Sequence, residues 1–206
     1  MKINNFNNSF RARNFPITEV RDLKSKFIKA KPFPHIGIKN FLKEHKPLLA
    51  AIKSEQVYKK DSDLFTFSQT NNLFYSKNSI IRSAVKLFSS QTFSSLISAV
   101  SGIKLTPGAL DVFGSLYEKT GYLLCHDDRV EDRKIAFILY LNALSKKDGG
   151  SLALYSNKGA HPYKKTAAYQ PIENSLFVFE VSKVSWHEVE EIIADKKRYA
   201  IGGWLH

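Results

Sequence analysis

His126 and Asp128 form a His-x-Asp pair; His187 follows 61 residues later and Arg198 another 11 on. Two imidazoles and one carboxylate leave coordination positions open on a metal, a donor set suited to non-heme Fe(II) and its oxygen chemistry. On a strand, residues two apart point to the same side, so His126 and Asp128 can aim at one point where a strand runs into the Asp127–Lys134 loop. Asp127 then points away, and Cys125 reads as a small buried residue rather than a ligand. His187 follows the apolar run Leu176–Val181 and is expected to arrive from the opposite sheet. A His-x-Asp pair alone is a weak signal; the distal histidine and the arginine make it specific. Arg198 lies beside Tyr199, Ala200, Ile201 and Trp204, which marks a buried strand carrying one cation. A buried cation needs an anionic partner, and a guanidinium is well shaped for a carboxylate. His35, His45, His161 and His206 have no carboxylate at ligand spacing and read as surface or packing residues.

The elements that must position these groups change type along the chain. Residues 1–16 are Asn-rich and polar, with a small basic piece at Arg11–Asn14, and read as a flexible tail. From Thr18, taken as an N-cap, Val20, Leu23 and Phe27 recur at helical spacing, and Pro32 and Pro34 stop that helix. Residues 35–38 read as extended. Pro47 opens a second helix with Leu48, Leu49 and Ile52, residues 55–79 read as turns and short helices, and residues 80–100 as one or two helices. Beyond Thr106-Pro107-Gly108 the pattern becomes short strands: Ala109–Leu116, Tyr122–His126, Lys134–Asn142, Ser151–Tyr155, Thr166–Pro171, Ser175–Val181 and Arg198–Leu205, separated by turn signals. The expected fold is α+β with a mainly β core: a jelly-roll sheet pair with N-terminal helices packed outside it. Residues 17–206 form one domain in this reading, helical over 17–105 and β over 106–205.

The 206 residues suffice for one buried core, and a single cysteine fits a reducing compartment. No apolar run resembles a signal peptide or a membrane span, so no membrane partner is expected and the place is intracellular, cytoplasmic with the nucleus open. The net charge of +12 would attract RNA or ribosomes non-specifically, although the dispersed lysines can equally serve solubility.

At Leu124–Asp128, Arg133–Asn142, Gly149–Tyr155, Phe177–Ser182, Trp186–Val189 and Arg198–Trp204 the sequence resembles the 2-oxoglutarate- and Fe(II)-dependent prolyl hydroxylases. The likeness is greatest to the catalytic domain of the ribosomal prolyl hydroxylases, and weaker likeness extends back to about residue 30. The resemblance implies a double-stranded β-helix, cupin-like, with Fe(II) held by His126, Asp128 and His187, and with 2-oxoglutarate, O2 and ascorbate as cosubstrates and reductant. It implies that Arg198 and Tyr140 hold the distal carboxylate of 2-oxoglutarate, with Tyr117 in the same pocket. It likens the Asp127–Lys134 loop to a segment that closes over substrate, with Arg129, Glu131 and Arg133 as contact candidates or, on the plainer reading, solvated charges. The implied activity is hydroxylation of a prolyl residue in a protein, with a small-subunit ribosomal protein as the expected substrate and succinate and CO2 as products. Two features depart from the family. The yeast and animal members carry a second domain of similar fold, which this sequence does not extend into. Position 204 is Trp rather than the second arginine of the nucleic-acid demethylases, which argues against that branch. The alternatives are a related oxygenase acting on a translation factor or a nucleic acid, and a non-catalytic basic jelly-roll module that binds RNA or ribosomes.

Overall fold

A computed structural model describes Ala12 and residues 14–130 and 132–206. The elements run α1 (Ile17–Lys29), β1 (His35–Ile38), α2 (Lys46–Ser54), β2 (Val57–Ser62), β3 (Phe65–Thr70), α3 (Ser79–Phe88), α4 (Gln91–Ser101), β4 (Leu110–Tyr117), β5 (Tyr122–His126), β6 (Ile135–Tyr140), β7 (Leu152–Lys158), β8 (His161–Tyr169), β9 (Ser175–Glu180), β10 (His187–Val189) and β11 (Arg198–Leu205). The strands form one strongly curled antiparallel sheet in the order β1-β9-β6-β11-β4-β3-β5-β10-β7-β8, with β2 added to β3. Its end strands, β1 and β8, are not neighbours in the hydrogen-bonded order, yet they meet through side chains. The Tyr169 hydroxyl lies 2.7 Å from His35 Nε2 while His35 Nδ1 donates to the Phe33 carbonyl. The curl therefore closes the jelly roll expected from sequence.

Alternation along the strands decides what each face buries. In β6, Ile135, Phe137 and Leu139 turn outward to the helices while Ala136 and Tyr140 turn inward; in β9, Leu176 and Val178 face the helices while Phe177 and Phe179 face in. Both faces of these strands are covered, so they read as unbroken apolar runs. The helices supply the outer layer through Leu23 and Phe27 of α1, Leu48 and Ile52 of α2, Ile81 and Phe88 of α3, and Phe93 and Ile97 of α4. The expected helix pair over residues 80–100 divides at Ser89-Ser90. Asn78 caps α3 by accepting from Ile80 and Ile81, and Ser90 caps α4 by accepting from Phe93.

Three expectations need correcting. The N-cap of α1 is Pro16, without a side-chain hydrogen bond, rather than Thr18, because the helix starts at Ile17. Residues 57–70 form the β2–β3 hairpin instead of turns and short helices. All six residues of β2 are exposed, so no apolar face announces it, and pairing from Val57–Thr70 to Ser62–Phe65 defines it. The strand β10 was not anticipated; it is three residues long and takes its partners from β5 and β7 on either side. Of the polar N-terminal stretch, most lies outside the described residues. Ala12 bridges Leu42, and the Phe15 ring lies 6.2 Å from that of Phe41.

Candidate metal centre and ligand cavity

His126 ends β5, and His187 begins β10, directly opposite it in the antiparallel register. His187 thus comes from the neighbouring strand and not from the opposite sheet, because β10 inserts between β5 and β7. The next pair in the register is Val189 with Leu123, so β5 spends three residues where β10 spends two. This β-bulge at Leu124-Cys125 re-aims the strand. Leu123 and His126 both line the interior cavity, whereas Leu124 is exposed on the outer face. Asp128 lies past the strand end with φ of 60°, in the left-handed region, and this backbone turn brings its carboxylate back to the histidines. Simple alternation from His126 to Asp128 is therefore not what unites them.

The result is a compact three-ligand cluster. Asp128 Oδ1 lies 3.3 Å from His126 Nε2 and Asp128 Oδ2 lies 3.4 Å from His187 Nε2. The ligand atoms of all three residues fall within 4.8 Å of one another. Each imidazole is fixed from behind: Nδ1 of His126 donates to the Leu124 carbonyl and Nδ1 of His187 to the Ser185 carbonyl, both at 2.8 Å. That arrangement leaves each Nε2 lone pair facing the shared point, as metal-binding histidines require. Burial opposes a charged Asp128, but the His187 and His126 imidazoles outweigh it and hold the carboxyl well below the usual carboxylate range. Burial likewise opposes a charged His126, and the Asp128 carboxylate reverses the balance and raises its pKa. Two nitrogens and one anionic oxygen around one point fit Fe(II) with open positions.

The cluster sits in a cavity of about 340 Å³ that also admits Arg198, Tyr117, Phe179 and Val189. Arg198, at the start of β11, is 2% exposed, and its Nε and Nη2 have no hydrogen-bond partner. No carboxylate among the described residues forms an ion pair with it, so the cavity holds an uncompensated buried cation. Its guanidinium carbon lies 4.9 Å from the Tyr140 ring centre and 5.1 Å from that of Tyr117. The Tyr140 hydroxyl is buried and equally without a partner. Burial raises the pKa of both phenols, which stay neutral donors. Tyr117 is further fixed by stacking on Phe67, with ring centres 4.9 Å apart. A buried guanidinium beside an unpaired hydroxyl suits a carboxylate ligand, so the residues present fit a dicarboxylate with one end here and the other at the three-ligand cluster.

Of the loop candidates, Arg129 donates to the Asp127 carboxylate at 2.7 Å and is half exposed, and Glu131 lies outside the described residues. Arg133 is not a solvated charge. Its guanidinium carbon sits 3.6 Å from the centre of the Trp204 ring and it lines the cavity. Trp204 and the hairpin residues Phe65 and Phe67 also line the cavity, which sequence reasoning did not assign. The Trp204 position on β11, two strand repeats beyond Ile201's neighbour Ala200, was the available clue for the former. His35 and His45 do packing work, His45 against Glu173.

A model of the 2OG-Fe(II) oxygenase superfamily matches residues 112–206. The chain is 38% identical over 185 residues to the mouse prolyl 3-hydroxylase OGFOD1, covering 85% of this chain and 33% of that protein. It is 30% identical over 214 residues to the prolyl 3,4-dihydroxylase OGFOD1 of Ostreococcus tauri, covering 91% of this chain and 40% of that protein. The chain thus spans between a third and two fifths of the length of these curated relatives. Among solved structures, a Pseudomonas putida prolyl-4-hydroxylase aligns with TM-score 0.72 at 17% identity over 91% of this chain and 98% of the other. A Trichoplax adhaerens prolyl hydroxylase in complex with a hypoxia inducible factor peptide fragment aligns with TM-score 0.69 at 21% identity over 91% and 90%. These two likenesses establish the shared fold.

Proposed function

We propose that the chain is a 2OG-Fe(II) oxygenase and, within that superfamily, a prolyl hydroxylase acting on a protein, a small-subunit ribosomal protein foremost, with release of succinate and CO2. The observation that carries this reading is Arg198, a buried cation whose free donors share one cavity with the His126, Asp128 and His187 cluster. Two relatives at 38% and 30% identity whose names specify prolyl hydroxylation support the choice of proline.

In this reading His126, Asp128 and His187 hold Fe(II). Arg198 and Tyr140 take the distal carboxylate of 2-oxoglutarate, and Tyr117 walls the same pocket. The bound iron with its cosubstrates supplies the oxidising power that replaces a prolyl C–H by C–OH, with ascorbate as reductant. The chain's own groups orient and insulate. The Leu124 and Ser185 carbonyls keep both Nε2 atoms aimed at the metal position. Leu152, Phe179 and Val189 line the cavity with apolar surface and limit water there. The helices of residues 17–105 brace the β core of 106–205 as one catalytic unit. The +12 charge adds a non-specific attraction to RNA-rich particles in the cytoplasm, consistent with a ribosomal substrate. No helix among the described residues is long and apolar enough to cross a membrane.

The test incubates the Fe(II)-loaded protein with 2-oxoglutarate and ribosomal-protein peptides and reads products by mass spectrometry. The expected result is one added oxygen on a proline. A gain on nucleic acid only, or succinate formation that no prolyl peptide stimulates, would refute the proposal.

A further inference from the structure

The segment between β9 and β10 contains Ser185, which is fully buried and lies outside the lining of the cavity. It stands two residues before His187, and its carbonyl is the group that accepts from His187 Nδ1. Its hydroxyl makes three further contacts. Ser185 Oγ accepts from the Ser182 backbone N–H at 2.9 Å and faces two carbonyls, that of Ser182 at 2.9 Å and that of Asp127 at 3.3 Å. A hydroxyl carries one proton, so the two carbonyls share it. The Ser182 carbonyl also takes the Ser185 N–H at 3.1 Å, whereas among the described residues no other hydrogen bond reaches the Asp127 carbonyl. That carbonyl belongs to the peptide group joining Asp127 to Asp128, and the orientation of this peptide plane fixes the φ of Asp128. At 60° that φ costs a non-glycine residue free energy and lasts only where its surroundings impose it. Within the loop, Arg129 N–H donates to Asp127 Oδ1 at 3.2 Å and Val130 N–H to the Asp128 carbonyl at 2.8 Å, which closes the turn on itself. The Ser185 hydroxyl is what ties the turn's backbone at Asp127 to the segment that carries His187.

We propose that Ser185 is a positioning residue that sets two of the three metal ligands at once: its carbonyl aims His187, and its hydroxyl joins that carbonyl's own turn to the Asp127–Asp128 peptide. The inference rests on the metal reading of the His126, Asp128 and His187 cluster above and says how its geometry is kept. The hydroxyl serves aim rather than anchorage, because other bonds hold the segment in place. Asn157 Nδ2 donates to the Val184 carbonyl at 2.8 Å, Trp186 Nε1 to the Ala160 carbonyl at 2.9 Å, and the Tyr155 N–H to the Trp186 carbonyl at 3.0 Å. Ser185→Ala removes the hydroxyl and leaves all of these, together with the carbonyl that His187 uses. It loosens the relation between the two segments. The Asp127–Asp128 peptide can then turn, and the Asp128 carboxylate swings away from the point that the two Nε2 atoms share. A carboxylate and an imidazole out of register with each other no longer serve one ion together.

Wild type, Ser185→Ala and Ser182→Ala are titrated with Co(II), whose visible absorption reports the number and arrangement of its ligands. Ser182→Ala is the control: it removes a neighbouring hydroxyl, one that accepts from the Val184 N–H at 3.4 Å, and keeps the Ser182 backbone groups that Ser185 uses. Ser185→Ala should raise the Co(II) Kd about tenfold and change the absorption spectrum at saturating metal, and Ser182→Ala should match wild type in both. A general loss of stability would lower the melting temperature but leave the saturated spectrum as it is. An unchanged Kd or an unchanged saturated spectrum in Ser185→Ala, or the same losses in Ser182→Ala, overturns this inference and leaves the metal assignment standing. Co(II) binding that survives His126→Ala at wild-type strength overturns the metal assignment, and this inference with it.

Discussion

His126 and His187 face each other across two neighbouring antiparallel strands, with ring centres 4.2 Å apart and the Asp128 carboxylate oxygens 3.3 and 3.4 Å from their Nε2 atoms. Three polar groups held this close, the two imidazoles fixed from behind by backbone carbonyls, form a site whose geometry exists before any ion arrives. Such preorganisation predicts tight binding that depends on every member.

Adding Fe(II), or Mn(II) as its redox-quiet substitute, should raise the melting temperature by about 5–10 °C once the metal is at ~100 times its Kd. Asp128→Ala should remove that shift, lower metal affinity by more than about 100-fold and abolish peptide-coupled succinate formation. Calorimetric titration and a succinate assay check this. Wild-type turnover surviving in Asp128→Ala would remove the metal assignment.

Arg198 makes a two-sided prediction. Arg198→Met should raise the KM for 2-oxoglutarate on the order of 100-fold, since it leaves a carboxylate unpaired in a dry pocket. The same change should make the ligand-free protein more stable, by ~1–3 kcal/mol, because it removes a buried charge without a partner. Chemical denaturation in the absence of cosubstrate measures the second effect. A destabilised variant would mean that Arg198 has an internal partner after all.

Gly203 sits on β11 where a Cβ would come within 2.1 Å of the Asp111 carbonyl and 2.8 Å of the Phe137 ring. Gly203→Ala should cost ~1–3 kcal/mol through displaced backbone pairing, and it should disturb the Trp204 wall next to it. A melting temperature equal to wild type would contradict the close approach of β4 and β11.

The seam between β1 and β8 should be sensitive to acid. Burial lowers the pKa of His35, against the opposing pull of the Phe33 carbonyl. As pH falls below its ordinary value of 6.5, the unfolded chain takes up the proton before the folded one does. The stability contributed by neutral His35 is thus complete above 6.5 and declines as pH drops toward the lowered folded value. Denaturation midpoints at about pH 7.5 and about pH 5.5 should differ less in His35→Gln, whose amide does not titrate. Equal slopes in both proteins would refute this.

The chemistry was more legible in the sequence than the geometry that delivers it. His126, Asp128, His187 and Arg198 could be singled out because buried cations and paired ligands are rare residue types in apolar strands. The strands β6 and β9 were visible as apolar runs covered on both faces. The β2–β3 hairpin was not, because Val57–Ser62 is exposed throughout and its order comes from backbone pairing with β3. The strand β10 is too short to show a period, and its place between β5 and β7 is a long-range outcome. Arg133 stood between two readings, a substrate contact and a solvated charge, since nothing local reveals that the chain brings Trp204 beneath it.

The extra residue in β5 has a consequence for how this site can be lost. Pairing that three-residue step with β10 regularly, without the bulge, would turn the His126 imidazole to the face opposite Leu123 and so outward, although no ligand would have changed identity. The bulge at that step is as much a part of the metal chemistry as the imidazole itself. A register slip there is a ligand mutation in all but name.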